Sequence, residues 1–238
     1  MLRGEPLTAI IPVRGGSRGI PGKNLRPVAG GDSLLERAIK LANRGAAIDR
    51  VIVSTDDPAM HAIATRHGVQ SPTLRPAHLA DDTATTLAVV DHVLAECGVD
   101  RGALLILQAT SPFRTLADLD AVCRLYASSD ADAVVSLAEV DEPRPEKLKR
   151  LVDGYVAPYL GSGFEGPRQA LPQPLRLNGA FYLVGLDAFR RERSFLPRAT
   201  LPYLMPDARS HNLDSSTDWQ VMEAMIAAGH WRLEDVGP

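Results

Sequence analysis

Residues 10–24, IIPVRGGSRGIPGKN, join an apolar run to a loop that contains four glycines and the cations Arg14, Arg18 and Lys23. Glycine lets backbone N–H groups approach an anion closely, and three cations can neutralise a polyphosphate. A solvated surface turn is the alternative interpretation. The loop directly follows the first predicted strand, where open α/β sheets place their ligands, and this position favours a phosphate-binding loop.

Two common nucleotide-binding fingerprints do not fit this loop. The pattern GxxxxGK[ST] needs glycine where Ser17 stands and a hydroxyl residue where Asn24 stands. The dinucleotide pattern GxGxxG is also absent from the loop. These mismatches argue against a P-loop kinase and against a dinucleotide-dependent dehydrogenase.

The elements that must position this loop follow from the periodicity of the apolar residues. Short β-branched or leucine-rich runs predict strands, and the amphipathic stretches between them predict helices. Ser33 and Glu36 form a capping-box pattern at the start of one such helix. This alternation predicts an α/β fold with an open, mostly parallel sheet flanked by helices. The predicted strands are 8–13, 50–55, 103–108 and 132–137.

Residues 141–178 interrupt that rhythm with six prolines and four glycines. Such a composition disfavours a helix and favours short strands with turns. We therefore predict one domain over residues 1–238, carrying a small inserted arm at about 141–178.

Composition narrows the class of protein further. The net charge of -3 gives no general basic field for a nucleic acid partner. No apolar run is long enough for a membrane span, which requires about 18 residues. The two cysteines are far apart and form no CxxC motif, so neither a disulfide framework nor a zinc site is indicated. These features predict a cytoplasmic protein without membrane or nucleic acid partners.

Six motifs in register make the chain resemble the acylneuraminate cytidylyltransferases, the CMP-sialic acid synthetases and their relatives. The resemblance implies a Rossmann-like nucleotidyltransferase fold that forms a homodimer through the inserted arm. It also implies transfer of CMP from CTP to an acidic nonulosonic sugar, with Mg²⁺ or Mn²⁺ as the metal and pyrophosphate as the second product. The motifs, in chain order, are RGGSRGIPGKN, LRPAHLADDTATT, LLILQATSPFR, PRQALP, NGAFY and NLDSSTDW.

The resemblance also implies which residues bind CTP. Arg14 and Lys23 are the expected catalytic residues, because cations stabilise the charge that develops on the phosphoryl oxygens and on the departing pyrophosphate. Base recognition is expected from three side chains, although Gln108 has an alternative role in capping loop carbonyls. The implied triphosphate-loop residues are Arg14, Ser17, Arg18 and Lys23, with Asn24 as a further nucleotide contact; the implied base-binding residues are Arg75, Thr86 and Gln108.

Acceptor binding is expected from the arm and the strand after it. Arg168 matches an arginine that binds the acid sugar, and its guanidinium suits a carboxylate. Lys147, Asn178 and Tyr182 are further implied contacts. A solvated charge is the alternative for Lys147, whose match could shift to Lys149, and packing within a strand is the alternative for Tyr182.

The implied metal site departs from the family pattern. The family commonly has Asp-x-Asp before the last helix, whereas this chain has Asn212-Leu213-Asp214. Asn212 offers a carbonyl oxygen but no charge, and Asp214 supplies the carboxylate expected to bind Mg²⁺. Asp214 has an alternative role as the N-cap of the last helix, and we expect Asp56 and Asp57 to cap a helix as well.

Two other functions stay open. The acceptor could be another acid, such as 3-deoxy-octulosonate or a phosphonate. Alternatively, the chain could bind a nucleotide without turnover, a reading prompted by Asn212.

Overall fold

The computed structural model describes residues 1–17, 19–161 and 171–234. Its centre is a six-stranded sheet with the strand order β2-β1-β3-β7-β4-β8, and β5 and β6 form a separate two-stranded hairpin. The strands are β1 Leu7–Pro12, β2 Arg50–Ser54, β3 Ala103–Ile106, β4 Ala133–Glu139, β5 Lys149–Val152, β6 Tyr155–Pro158, β7 Leu175–Gly185 and β8 Thr200–Leu204.

The prediction of a mostly parallel sheet is confirmed. β1 pairs in parallel with β2 and β3, and β4 pairs in parallel with β8. β7 lies between β3 and β4 and is antiparallel to both. The sequence did not predict this reversal, because a strand buried on both faces has the same apolar pattern in either direction.

Helices cover both faces of the sheet. Ser33 caps the first of them, since its hydroxyl accepts from Glu36 N at 3.3 Å and the Glu36 carboxylate accepts from Ser33 N at 3.0 Å. The predicted capping box is therefore confirmed. The helices are α1 Leu34–Arg44, α2 Pro58–Arg66, α3 Thr86–Cys97, α4 Leu116–Ala127, α5 Leu186–Glu192 and α6 Ser216–Ala227.

Successive side chains of the central strands point to opposite faces of the sheet, so the core consists of two apolar clusters, one on each face. Ile11 of β1 belongs to the larger apolar cluster, which also includes Trp219 of α6. Its neighbour Ile10 belongs to the smaller cluster, with Val90 of α3 and Phe189 of α5. Because both faces are covered, the strand ends are the part of the sheet where polar side chains can gather.

Asp118 joins α4 to the segment after β8. Its carboxylate accepts from Tyr203 Oη at 2.8 Å and from Arg209 Nη2 at 2.8 Å. It also accepts from Thr115 in the capping box of α4. Burial raises the pKa of this carboxyl, but the hydrogen bonds from Arg209, Thr115 and Tyr203 outweigh burial and hold the pKa below its ordinary value.

The hairpin of β5 and β6 lies within the arm predicted at 141–178, and residues 175–178 of that range begin β7. The hairpin presents Leu151, 77% exposed, and Tyr155, 79% exposed. Over the described residues, no helix combines the length and apolar character that crossing a bilayer requires.

Candidate functional site

A cleft of about 340 Å³ opens where β1 and β3 end. This is the position at which open α/β sheets bind their ligands. It draws together most of the residues expected to bind CTP. The expected residues that line it are Arg14, Lys23, Asn24, Arg75, Thr86, Gln108 and Asp214.

The glycine-rich loop is tied down at both of its ends. Gly15 N donates to the carboxylate of Asp56 at 3.1 Å, and the Asn24 amide donates to the Arg14 carbonyl at 3.2 Å. A Cβ at Gly15 would stand 2.9 Å from Asp57 Oδ2, so any larger residue would have to displace the carboxylate that caps α2. Asn24 is buried, and it therefore shapes the loop as well as lining the cleft.

The two expected catalytic cations lie on different walls of the cleft. Arg14 Nη2 is 2.7 Å from the carboxylate of Asp82, and Arg14 Nη1 donates to the Asp81 carbonyl at 2.9 Å. Lys23 Nζ donates to the Leu213 carbonyl at 2.8 Å and lies 3.3 Å from Asp214 Oδ1. Each cation is thus oriented by acceptors of the chain, while both line the space between them.

Arg75 is the most buried cation of the cleft, at 6% exposure. Its Nη2 donates to the Val13 carbonyl at 2.6 Å and lies 3.6 Å from Asp56 Oδ1, whereas its Nε has no partner among the described residues. Burial lowers the pKa of Arg75 and the nearby Asp56 carboxylate opposes this effect. A guanidinium remains charged under such conditions, so the cleft holds a fixed positive charge.

Gln108 lies two residues beyond the end of β3 and is half-buried. Its Oε1 is 2.7 Å from the place that a Cβ would occupy at Gly179, whose φ is +74°. The absence of a side chain at Gly179 therefore gives the Gln108 amide its room. Thr86, the first residue of α3, is half-buried on the same cleft, next to the helix N-cap Thr85.

The segment before α6 forms the remaining wall. Asp214 is exposed, and its Oδ2 accepts from Asn212 Nδ2 at 2.6 Å. Ser215 is the N-cap of α6, in a capping box with Asp218, so the alternative role of Asp214 as that cap is wrong. Within the described ranges no cluster of three or more His, Cys, Asp or Glu side chains is arranged to hold a metal ion.

Of the residues expected to bind the acceptor, the three that the structure describes do not line this cleft. Asn178 is buried. Its amide oxygen accepts from the Ser136 hydroxyl at 2.6 Å, and its amide nitrogen donates to the Ser210 hydroxyl at 2.9 Å. Tyr182 packs edge-on against Phe195, with ring centroids 6.3 Å apart, and burial raises the pKa of its phenol. These contacts give both residues a structural role.

Lys147 is exposed and forms an ion pair with Glu142 in the arm. Ser17 is half-buried in the glycine-rich loop but is not among the residues that line the cleft. Arg18 and Arg168 lie outside the described residues.

Two further residues shape the site in ways that the sequence did not predict. Asp57 caps α2 as expected, but Asp56 binds the Gly15 amide and faces Arg75 instead of capping. Asp82, which belongs to the motif LRPAHLADDTATT, forms the ion pair with Arg14. The one signal for Asp56 was its position, directly after a strand that ends at the ligand edge of the sheet.

A second cleft, of about 610 Å³, lies where β4 and β8 end, and it is called the acidic cleft below. Arg176 lies in it and forms an ion pair of 2.8 Å with Asp207. Carboxylates otherwise dominate its lining: Glu139, Asp141, Glu142 and Asp207.

Comparison with curated proteins identifies relatives that cover most of the chain. It is 33% identical over 214 residues to an N-acylneuraminate cytidylyltransferase of Streptococcus agalactiae, a match that covers 88% of this chain and 51% of the relative. This chain thus spans about half the length of that relative. It is also 29% identical over 231 residues to a CMP-N,N'-diacetyllegionaminic acid synthase of Legionella pneumophila, covering 92% of this chain and 96% of the relative.

Solved structures show the same fold. A CMP:2-keto-3-deoxy-manno-octonic acid synthetase complexed with CTP aligns with a TM-score of 0.68 at 16% identity, over 94% of this chain and 99% of that one. At this identity the likeness concerns the fold alone. The sequence model described as cytidylyltransferase matches residues 8–155, which is more than half of the chain. Together with a cleft that gathers the expected phosphate and base contacts, this match shows that the chain belongs to the cytidylyltransferase family.

Proposed function

We propose that this protein transfers CMP from CTP to an acidic sugar of the nonulosonic class and releases pyrophosphate. One observation carries the proposal: a single cleft brings the cations Arg14 and Lys23 together with Arg75 and Gln108. The first pair suits a triphosphate and the second a pyrimidine base. The names of the relatives, which refer to N-acylneuraminate and diacetyllegionaminic acid, support the choice of acceptor class.

The reaction requires stabilisation of charge more than any covalent step on the enzyme. A hydroxyl oxygen of the acceptor forms a bond to the α-phosphorus and releases its proton to water, and the bond from that phosphorus to the oxygen bridging to the β-phosphate breaks. Negative charge then develops on the departing pyrophosphate, where fixed cations contribute most. Lys23 and Arg14 are already oriented by Leu213 and Asp82, so little reorganisation is needed to meet that charge.

The proposed cofactor is Mg²⁺, with Mn²⁺ as an alternative. When bound, such an ion neutralises phosphate oxygens and favours pyrophosphate departure. Asp214 fits this role, because its carboxylate is exposed at the wall of the cleft near Lys23. Mg²⁺ in nucleotide sites is commonly held by one or two carboxylates together with substrate phosphates, so a single carboxylate is compatible with it.

For base selection we propose Arg75 and Gln108. The primary amide of Gln108 offers both a donor and an acceptor, which matches the edge of cytosine. Arg75 adds a guanidinium whose fixed positive charge lies on the same cleft. Thr86, at the start of α3, provides a hydroxyl on the same cleft.

For acceptor binding we propose Arg168 as the main contact, because a guanidinium binds a carboxylate with two parallel hydrogen bonds. Lys147, exposed in the arm, is proposed to add positive charge. Asn178 and Tyr182 are proposed to support acceptor binding indirectly. Their contacts hold β7 in place beside the cleft.

We also propose a homodimer built through the arm. The β5–β6 hairpin exposes Leu151, Tyr155 and Val156 together with Lys149 and Arg150, and an apolar surface of this kind is typical of an interface. The acidic cleft has the complementary charge for that basic hairpin. Sedimentation equilibrium of the full chain tests this: we expect twice the mass of one chain, and Leu151→Asp should shift the equilibrium to single chains.

A cytoplasmic location is part of the same proposal. Cys97 is half-buried, Cys123 is buried, and both are free thiols. Free thiols fit a reducing compartment.

Pyrophosphate release tests the proposed function. Purified protein is incubated with CTP, Mg²⁺ and a panel that contains N-acylneuraminate, legionaminate, 3-deoxy-octulosonate and a phosphonate, with UTP in place of CTP as the control. We expect release that depends on both CTP and a nonulosonic acid. Release only with another acid would establish a different acceptor. CTP binding without release for any acceptor, also with Mn²⁺, would refute turnover and favour a nucleotide-binding protein.

A further inference from the structure

The backbone of Leu213 fixes the wall of the cleft that carries Asn212 and Asp214. The Leu213 side chain is fully buried, its N–H donates to the Thr110 carbonyl at 2.9 Å, and its carbonyl accepts from Lys23 at 2.8 Å. A Cβ at Gly19 would stand 1.8 Å from the Asp214 carbonyl oxygen, so the glycine-rich loop packs directly on this segment. The two side chains that flank Leu213 therefore project from a rigid support.

The orientation of the Asn212 amide follows from its neighbour. Its Nδ2 lies 2.6 Å from Asp214 Oδ2, and only the NH₂ end of an amide can make so short a contact with a carboxylate. The oxygen of the amide consequently faces the other way, 3.4 Å from the Ser111 hydroxyl. The one side-chain atom of Asn212 that could bind a hard cation is thus turned away from the carboxylate that would share the ion.

Both oxygens of Asp214 already have donors within the chain. The Asn212 amide donates to Oδ2, and Lys23 Nζ lies 3.3 Å from Oδ1. An aspartate at position 212 would instead bring two carboxylates into contact, and like charges this close require a cation or a proton between them. The amide therefore removes the need for an ion to order this wall.

We propose that Asn212 is a positioning residue and not a metal ligand: it holds Asp214 in place without a cation, so that a divalent ion binds only weakly until the nucleotide supplies further ligands. This inference rests on the proposed function for its reference to the nucleotide. The reason is chemical. An exposed single carboxylate binds divalent cations weakly, and a triphosphate supplies the remaining oxygen ligands.

The test measures Mn²⁺ binding in the absence of nucleotide by electron paramagnetic resonance, which reports free Mn²⁺ directly. The variants are Asn212→Asp and Asn212→Ala, with Asn43→Asp as a control that adds the same charge on exposed surface away from the cleft. We expect Asn212→Asp to bind Mn²⁺ about tenfold more tightly than the natural chain, since a second carboxylate is added. We expect Asn212→Ala to bind no more weakly than the natural chain and Asn43→Asp to change nothing.

Thermal unfolding provides a second measurement. The midpoint of the natural chain should be the same in chelator and in Mn²⁺, whereas that of Asn212→Asp should be lower in chelator and recover with Mn²⁺. Weaker Mn²⁺ binding by Asn212→Ala would overturn the inference, because it would identify Asn212 as a ligand. The Mn²⁺ measurement on Asn212→Ala remains decisive if Asn212→Asp fails to fold.

Neither measurement uses CTP or an acceptor, so the two proposals fail separately. If no acceptor supports pyrophosphate release while Asn212→Asp gains Mn²⁺ affinity, only the proposed function is refuted. If the natural chain turns over and Asn212→Ala loses Mn²⁺ affinity, only the role of Asn212 is refuted.

Discussion

Replacing Gly179 by alanine tests whether Gln108 selects the base. The new Cβ would stand 2.7 Å from Gln108 Oε1 and 3.3 Å from the Ser111 hydroxyl oxygen. Ordinary contacts of a Cβ begin at 3.4 Å, so the Gln108 amide has to withdraw by about 0.7 Å. The substitution therefore perturbs the amide without removing it.

Two effects of this substitution can be separated by size. An L-residue in the left-handed region, here at φ +74°, costs about 1–2 kcal/mol of unfolding free energy. The displaced amide costs activity instead, and a shift approaching 1 Å lowers kcat/KM by about 10- to 100-fold. This loss should fall mainly on CTP, because a displaced amide no longer favours cytosine over uracil.

Gly30→Ala is the matched control, because Gly30 has a φ of +75° and nothing lies within 4 Å of its Cβ position. Unfolding by denaturant and kcat/KM for CTP and UTP are measured for both variants. We expect similar losses of stability, but a reduced preference for CTP over UTP only in Gly179→Ala. If Gly179→Ala folds and keeps the natural preference, Gln108 does not read the base and the assignment is refuted.

Three more substitutions test other parts of the cleft and the fold. Lys23→Ala should lower kcat/KM for CTP by about 10²- to 10³-fold, because charge stabilisation is lost. The control Lys40→Ala removes an ion pair with Asp32 and should leave kcat/KM unchanged. Equal losses of kcat/KM in the two variants would contradict the role of Lys23. Asp56→Asn should raise KM for CTP several-fold, since it removes the charge facing the buried Arg75, while Asp57→Asn keeps a good N-cap and should leave KM unchanged. Asp118→Asn should cost about 3–5 kcal/mol of unfolding free energy at pH 7. The pKa of Asp118 in the folded state lies below the unfolded value of about 3.9. Its contribution to the unfolding free energy is therefore complete above that pH and is lost as the pH falls through the folded pKa. If denaturant titrations show that Asp118→Asn costs the same unfolding free energy down to pH 3, this account is refuted.

Local patterns predicted the parts of the fold that depend on neighbouring residues. The capping box of Ser33 and Glu36 uses contacts within one turn, and the structure confirms it. β7 was harder, because its direction depends on which strands it joins and not on its own residues. The N-cap of α6 shows the same limit on a smaller scale, since Asp214 and Ser215 are both good caps and only the geometry selects Ser215.

Within the site, residue type identified the cations but not their partners. Arg14 and Lys23 stand out in a glycine-rich loop, and the structure places both on the cleft. Their acceptors, Asp82 and the Leu213 carbonyl, lie 68 and 190 residues further along the chain. A backbone carbonyl has no sequence signature at all, so that contact required the folded structure.

The bond between Lys23 and Leu213 also has a consequence for biosynthesis. At translation rates of about 5–20 residues per second, the 190 residues between them take about 10–40 s to synthesise. During that interval the glycine-rich loop has emerged without the wall that orients its lysine. The nascent chain therefore cannot assemble the complete cleft until late in synthesis.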